Sequence, residues 1–143
     1  MRTIALRFGE HIAPPCGTIA AHEEIIEQRG YVWYGKMGTP ISEKMILEIM
    51  KADRPKILLI RSGKTERYWA SVLEIKREVP KAEEIPAYYR DMSGKFKTWF
   101  KICKFDLADK GIMSKCRVAS SGNQLGEVSK HSMSPYFIID TEE

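Results

Sequence analysis

Ser62-Gly63-Lys64-Thr65 is the stretch closest to a reactive motif, because Gly-Lys-Thr ends the loop that cradles phosphates in nucleotide hydrolases. That loop needs a first glycine at position 58, where Leu58 stands, and it must open a helix. Here a strand-like pattern follows, so nucleotide hydrolysis is set aside. His22-Glu23-Glu24 begins like a zinc-protease helix, but Ile26 occupies the place of the second histidine. His11, His22 and His131 have no metal-ligand spacing. Cys16, Cys103 and Cys116 are far apart, odd in number and without a CxxC pair, which argues against a disulfide framework or a zinc cluster and for buried thiols. No GxSxG marks a nucleophile, and Glu83-Glu84 sits in a polar loop. The expectation is a chain that is not an enzyme and carries no cofactor or metal.

What remains is flat rings beside positive charge. Trp33, Tyr34, Tyr88, Tyr89 and Trp99 fall near strand ends or in a long connection. Nucleic-acid bases stack on such rings at roughly 1–3 kcal/mol each, and an extruded base is held between flat walls in the same way. Any single ring can equally be core, and Trp69, alternating with Leu73 and Ile75, is read as core. The net charge is +4, unevenly spread. Residues 54–117 carry 16 Lys and Arg against 8 Asp and Glu, whereas the segments before and after are slightly acidic. A basic middle suits a polyanionic partner such as nucleic acid.

The elements that must position these residues follow from periodicity. Ile4, Leu6 and Phe8 alternate with Thr3, Ala5 and Arg7 as in a half-buried strand. Pro14-Pro15 marks a loop. Thr18 could cap a helix over 19–29, with Gly30 as its stop. Gly30-Tyr31-Val32-Trp33-Tyr34-Gly35 then reads as an aromatic strand fenced by glycines. A second helix spans about 42–52 and breaks at Asp53-Arg54-Pro55. The apolar run 56–61 reads as a central strand in a hairpin with 67–78. Residues 79–94 form a long connection of the kind that carries function. Strands are expected over 96–107, 115–119 and 136–139. With 143 residues and 43% hydrophobic content, the chain suits one domain, 1–143, with its own core. It has no run of the roughly 20 apolar residues that a membrane helix needs, and its start lacks the apolar stretch of a secretory signal. A cytoplasmic protein without membrane contact is expected. The fold class is α+β, a small β-barrel of about six strands flanked by helices.

The order of these elements resembles the YTH and EVE domains of the PUA-like superfamily. Tyr31-Val32-Trp33 is similar to the stretch that delivers the family's first cage tryptophan. Residues 57–64, continuing into Trp69-Ala70-Ser71-Val72-Leu73-Glu74-Ile75, resemble its central hairpin. Tyr88, Tyr89 and Met92 fall where the family places further cage walls, and Lys95-Phe96-Lys97-Thr98-Trp99-Phe100 resembles the strand that follows. Asn123-Gln124-Leu125-Gly126-Glu127-Val128 looks like the final turn. The sequence departs from the YTH pattern in offering tyrosine as the second wall, and in lacking a clear polar reader after the first strand, where Gly9 and Glu10 stand.

The resemblance implies a non-catalytic domain that recognises a modified base, methylated above all, flipped into an aromatic cage of Trp33, Tyr34, Tyr88, Tyr89, Met92 and Trp99. Lys64, Arg67, Arg90, Lys95, Lys97 and Lys101 would hold the DNA or RNA backbone. EVE-type relatives are associated with prokaryotic modification-dependent restriction, so a larger protein or partner subunit with effector activity is a further expected partner. The competing readings are a general RNA-binding PUA-like domain and a small-ligand or nucleotide-binding regulator or enzyme using the same pocket. A protein–protein module docking through 127–137 is the remaining alternative.

Overall fold

The computed structural model of the protein describes residues 1–9, 16–61 and 66–142. The alternation at the N-terminus forms β1 (Arg2–Arg7), and α1 (Thr18–Arg29) follows. Gly30 ends α1 in the left-handed conformation at φ 88°, which glycine adopts without steric cost, and its N–H closes on the Ile26 carbonyl. The helix start differs from expectation. Gly17, not Thr18, stands at the cap, and the Thr18 hydroxyl donates instead to the Gly9 carbonyl at 2.5 Å. β2 (Val32–Met37) carries the aromatic run. Ser42 caps α2 (Glu43–Met50), accepting the Met45 N–H at 3.2 Å.

The central hairpin is β3 (Lys56–Ile60) and β4 (Tyr68–Lys76). β5 (Phe96–Leu107) occupies the expected range. The connection before it folds into two 3₁₀ segments, Ala82–Glu84 and Ala87–Lys95, the second broken at Met92 (φ −132°). Two short helices not expected from the sequence, α3 (Ile112–Lys115) and α4 (Leu125–His131), flank β6 (Arg117–Val118) before β7 (Tyr136–Asp140) closes the chain.

One seven-stranded sheet runs in the order β2-β5-β4-β3-β1-β7-β6, antiparallel except where β1 pairs with β3. The architecture is therefore α+β, as expected, with one strand more than the six anticipated. The ladder does not close among the described residues, since β2 and β6 remain at its edges. Four strands separate β2 from β7 in that order, yet the Lys36 ammonium of β2 lies 4.9 Å from the centre of the Tyr136 ring of β7. The sheet therefore rolls until its ends meet through side chains. Strand twist drives such rolling, and register shifts in the β4–β5 ladder and at Lys36/Met37 of β2 add to it. The β4 shifts also overturn one expectation. Trp69, Leu73 and Ile75 do not share one face: Trp69 packs in the outer cluster, Ile75 in the inner core, and Leu73 is 53% exposed.

The main core lies inside the roll: Ile4 and Leu6, Val32 and Tyr34, Ile57 and Leu59, and Phe100 and Ile102, covered by α1 and α2. A second cluster on the outer face joins Trp69, Ile60 and Phe137 to α3 and α4. Trp69 is core, as read. A third cluster, also outside, packs Trp33, Trp99, Phe96 and Tyr89 under Ile85. Of the cysteines only Cys116 is buried; Cys103 is half-buried and Cys16 exposed. Among the described residues no helix is long and apolar enough to cross a membrane.

Candidate functional site

Where the ends of the sheet meet, they leave a cavity of about 160 Å³. Tyr34, Gly35, Lys36 and Met37 of β2 form one side, Leu6, Arg7 and Pro135 the other, and Tyr88, Tyr89, Phe96 and His22 the rest. Gly35 is required here for space. A Cβ on it would stand 2.8 Å from the Phe96 ring, so only glycine lets that ring lie flat against β2.

A buried relay fixes the walls. The His22 Nδ1–H donates to the Thr18 carbonyl at 2.7 Å, because a carbonyl can only accept. His22 Nε2 is then the acceptor for the Tyr89 hydroxyl at 2.8 Å. With the Thr18 hydroxyl on Gly9, this relay ties α1 to the end of β1 and to the second 3₁₀ segment. Burial pushes the His22 pKa down to about 4, against the opposing pull of the Thr18 carbonyl, so the imidazole is neutral. The same burial pushes the Tyr34, Tyr88 and Tyr89 hydroxyls above their ordinary value. Lys36 is 4% exposed; its ammonium donates to the Met37 and Thr39 carbonyls, and burial lowers its pKa. The Tyr88 hydroxyl is buried without a hydrogen-bond partner among the described residues. The walls are thus flat and uncharged at their rings, with Tyr89 tied to α1 through His22.

Of the six rings and side chains expected in a cage, Tyr34, Tyr88 and Tyr89 line this cavity. Trp33, Trp99 and Met92 do not. Successive strand residues point to opposite faces, so Tyr34 faces inward and Trp33 outward. Trp33 is 2% exposed and Trp99 fully buried, and both belong to the outer cluster, with Met92 packed against it. The cations do not form one track either. Arg67 sits at the Leu107 end of the β4–β5 ladder, where its carbonyl accepts the Ala108 N–H, whereas Lys95 and Lys97 flank the opposite end. Arg90 is turned back onto the Ile85 carbonyl and Lys97 onto that of Gly94. Lys101 lies over Tyr31 and Trp33. Lys64 lies outside the described residues. His22, Lys36 and Phe96 were missed. A histidine inside the apolar stripe of α1 was the available signal for the first.

A family model for the Pua-like family matches residues 4–136. The chain belongs to the Pua-like family. No curated protein and no solved structure matches it. PUA-like domains bind nucleic acids, which gives this Pua-like chain a nucleic-acid partner in general terms. Among its described residues no group of three or more His, Cys, Asp or Glu side chains could hold a metal ion.

Proposed function

We propose that this Pua-like chain is a non-catalytic nucleic-acid-binding domain that receives an extruded, methylated base in the cavity between β2 and the β1–β7 pair. The observation that carries the reading is a space of about 160 Å³ between flat walls, one of which, Tyr88, has a buried hydroxyl with no hydrogen-bond partner among the described residues. A cavity of roughly 150 Å³ is enough to take up benzene, so the volume suits one ring of a base. A methyl group on that ring gains contact with Tyr34, Tyr88 and Phe96 rather than a hydrogen bond. The Tyr88 hydroxyl would contact the base edge. Extrusion costs a few kcal/mol, which contacts to phosphates offset without reading sequence.

Binding rather than catalysis is favoured because both His22 nitrogens are engaged and the three tyrosines are held protonated by burial. In a modification-dependent defence system such a domain would supply specificity to a partner's effector activity. The test is a binding screen of short oligonucleotides that differ only in one methylated base, repeated with Tyr88→Phe. One methylated base should bind more tightly than its unmodified counterpart, and Tyr88→Phe should weaken binding by about 1 kcal/mol, one hydrogen bond, while keeping that preference. Equal affinity for modified and unmodified strands would reject the modified-base reading and leave a general RNA-binding domain.

A further inference from the structure

The outer face of β2, β5 and β4 carries a second arrangement. Trp33 pairs with Lys101, and Trp99 with Lys76 on the same face. The Lys76 ammonium lies 4.9 Å from the Trp33 ring centre and that of Lys101 5.9 Å from it. Lys101 also lies 4.4 Å from the centre of the Tyr31 ring, and the Arg29 guanidinium 4.9 Å from it. Arg29 is anchored on the Glu83 and Glu84 carbonyls. Neither Lys76 nor Lys101 has an ion pair or hydrogen bond among the described residues, although Glu74 stands across from Lys101 in the ladder. The Glu84 carboxylate is engaged by the Tyr31 hydroxyl at 3.5 Å. Trp33 is covered, and its indole N–H is buried with no acceptor among the described residues.

Ammonium groups that rest on rings instead of on carboxylates keep their charge available to an incoming anion. A cation–ring contact at an exposed site is weak, so a phosphate can draw these lysines away. Their departure uncovers the rings beneath, on which bases stack. We propose that this outer face is a second nucleic-acid contact, in which a single strand lays its phosphates on Arg29, Lys76 and Lys101 and stacks a base on Tyr31. The proposal rests on the nucleic-acid reading but not on the cavity, from which Tyr89 and Phe96 separate this face.

The full chain can be probed with oligothymidylate and oligouridylate by lysine acetylation footprinting. Lys76 and Lys101 should be protected, whereas Lys104 on the same β5, paired with Asp106 at 3.4 Å, should not. A Lys76→Gln, Lys101→Gln double variant should lower the slope of log affinity against log salt by about 1.4, from roughly 0.7 per phosphate contact on a single strand. Its preference between methylated and unmethylated strands should be unchanged. Binding with both lysines unprotected and the slope intact would overturn this proposal alone, and should the double variant not fold, the footprint on the unaltered chain decides. Absence of binding to either oligonucleotide at low salt would remove the nucleic-acid reading as well. Equal protection by polyglutamate, with Tyr31→Leu binding the oligonucleotides unchanged, would assign the face to an acidic protein segment and overturn the proposal.

Discussion

Trp33 and Tyr34 are consecutive residues with opposite surroundings. Tyr34 turns into the roll of the sheet, where it meets His22 with ring centres 5.0 Å apart and borders a cavity. Trp33 turns outward, against Ile85, Tyr89, Phe96 and Trp99, and under two lysines. The inner region is organised by hydrogen bonds that hold rings apart and leave a space. The outer region is organised by edge-to-face ring packing, with Tyr89–Phe96 at 4.8 Å and Phe96–Trp99 at 5.4 Å, and buries Trp33 and Trp99. Aromatic content therefore does not identify a pocket. What separates a wall from a core ring here is whether buried polar groups fix its position around an unfilled volume.

The largest expected effect tests the outer half of that comparison. Trp33→Ala should cost about 3–5 kcal/mol of stability, as for other large aromatic truncations in a core, read as a shift of the denaturant midpoint. A variant that keeps its stability yet loses the preference for a methylated base would return Trp33 to the cavity wall.

Next comes the inner relay. His22 is neutral when folded, with a pKa near 4 against 6.5 unfolded. Between those values the unfolded chain binds the extra proton, so stability is complete above about pH 6.5 and falls as the pH drops toward 4. The full loss is on the order of 3 kcal/mol. Unfolding measured across that range should show the slope, and His22→Gln should flatten it. A wild-type profile flat from pH 6.5 to 4 would mean that the imidazole is not sealed as described.

The smallest of the three effects probes the ring that both regions share. Gly35→Ala drives a Cβ into Phe96. Overpacking of this kind typically costs about 1–3 kcal/mol, and the displaced ring should weaken base binding in the oligonucleotide screen along with the denaturant midpoint. Unaltered values for both would show that Phe96 yields freely and does not shape the cavity.

Much of the framework was legible in the sequence because it is encoded locally. Gly30 stops α1 for steric reasons, Ser42 offers a hydroxyl where α2 needs an acceptor, and the run from Phe96 to Leu107 is rich enough in aromatic and branched side chains to mark β5. The long connection was marked as functional, and Tyr88 and Tyr89 within it do reach the cavity. Its 3₁₀ structure and the brief α3 and α4 were not visible, since three to nine residues hold too few turns to show a period.

The placement of Trp33 was readable in principle. Val32 and Tyr34 share a face with Phe100 and Ile102, so the residue between them had to face away. Resemblance to a cage motif outweighed that alternation. The register shifts of β4 and the approach of β2 to β7 are long-range outcomes that no local window contains. The cavity, which exists only because of that approach, could not be located from the sequence.

That approach has a mechanical consequence. Strands joined by a ladder can separate only by breaking several backbone bonds together. β2 and β7 are joined instead by an ammonium over a phenol ring, and the carbonyls holding that ammonium, Met37 and Thr39, belong to its own turn and travel with it. Prising the mouth wider gives up a cation–ring contact worth about 0.5–2 kcal/mol and breaks no backbone ladder between β2 and β7 among the described residues, leaving the β2–β5 pairing whole. The receptacle behaves as a clasp, whose gape can adjust to the thickness of what enters while the rest of the sheet stays folded.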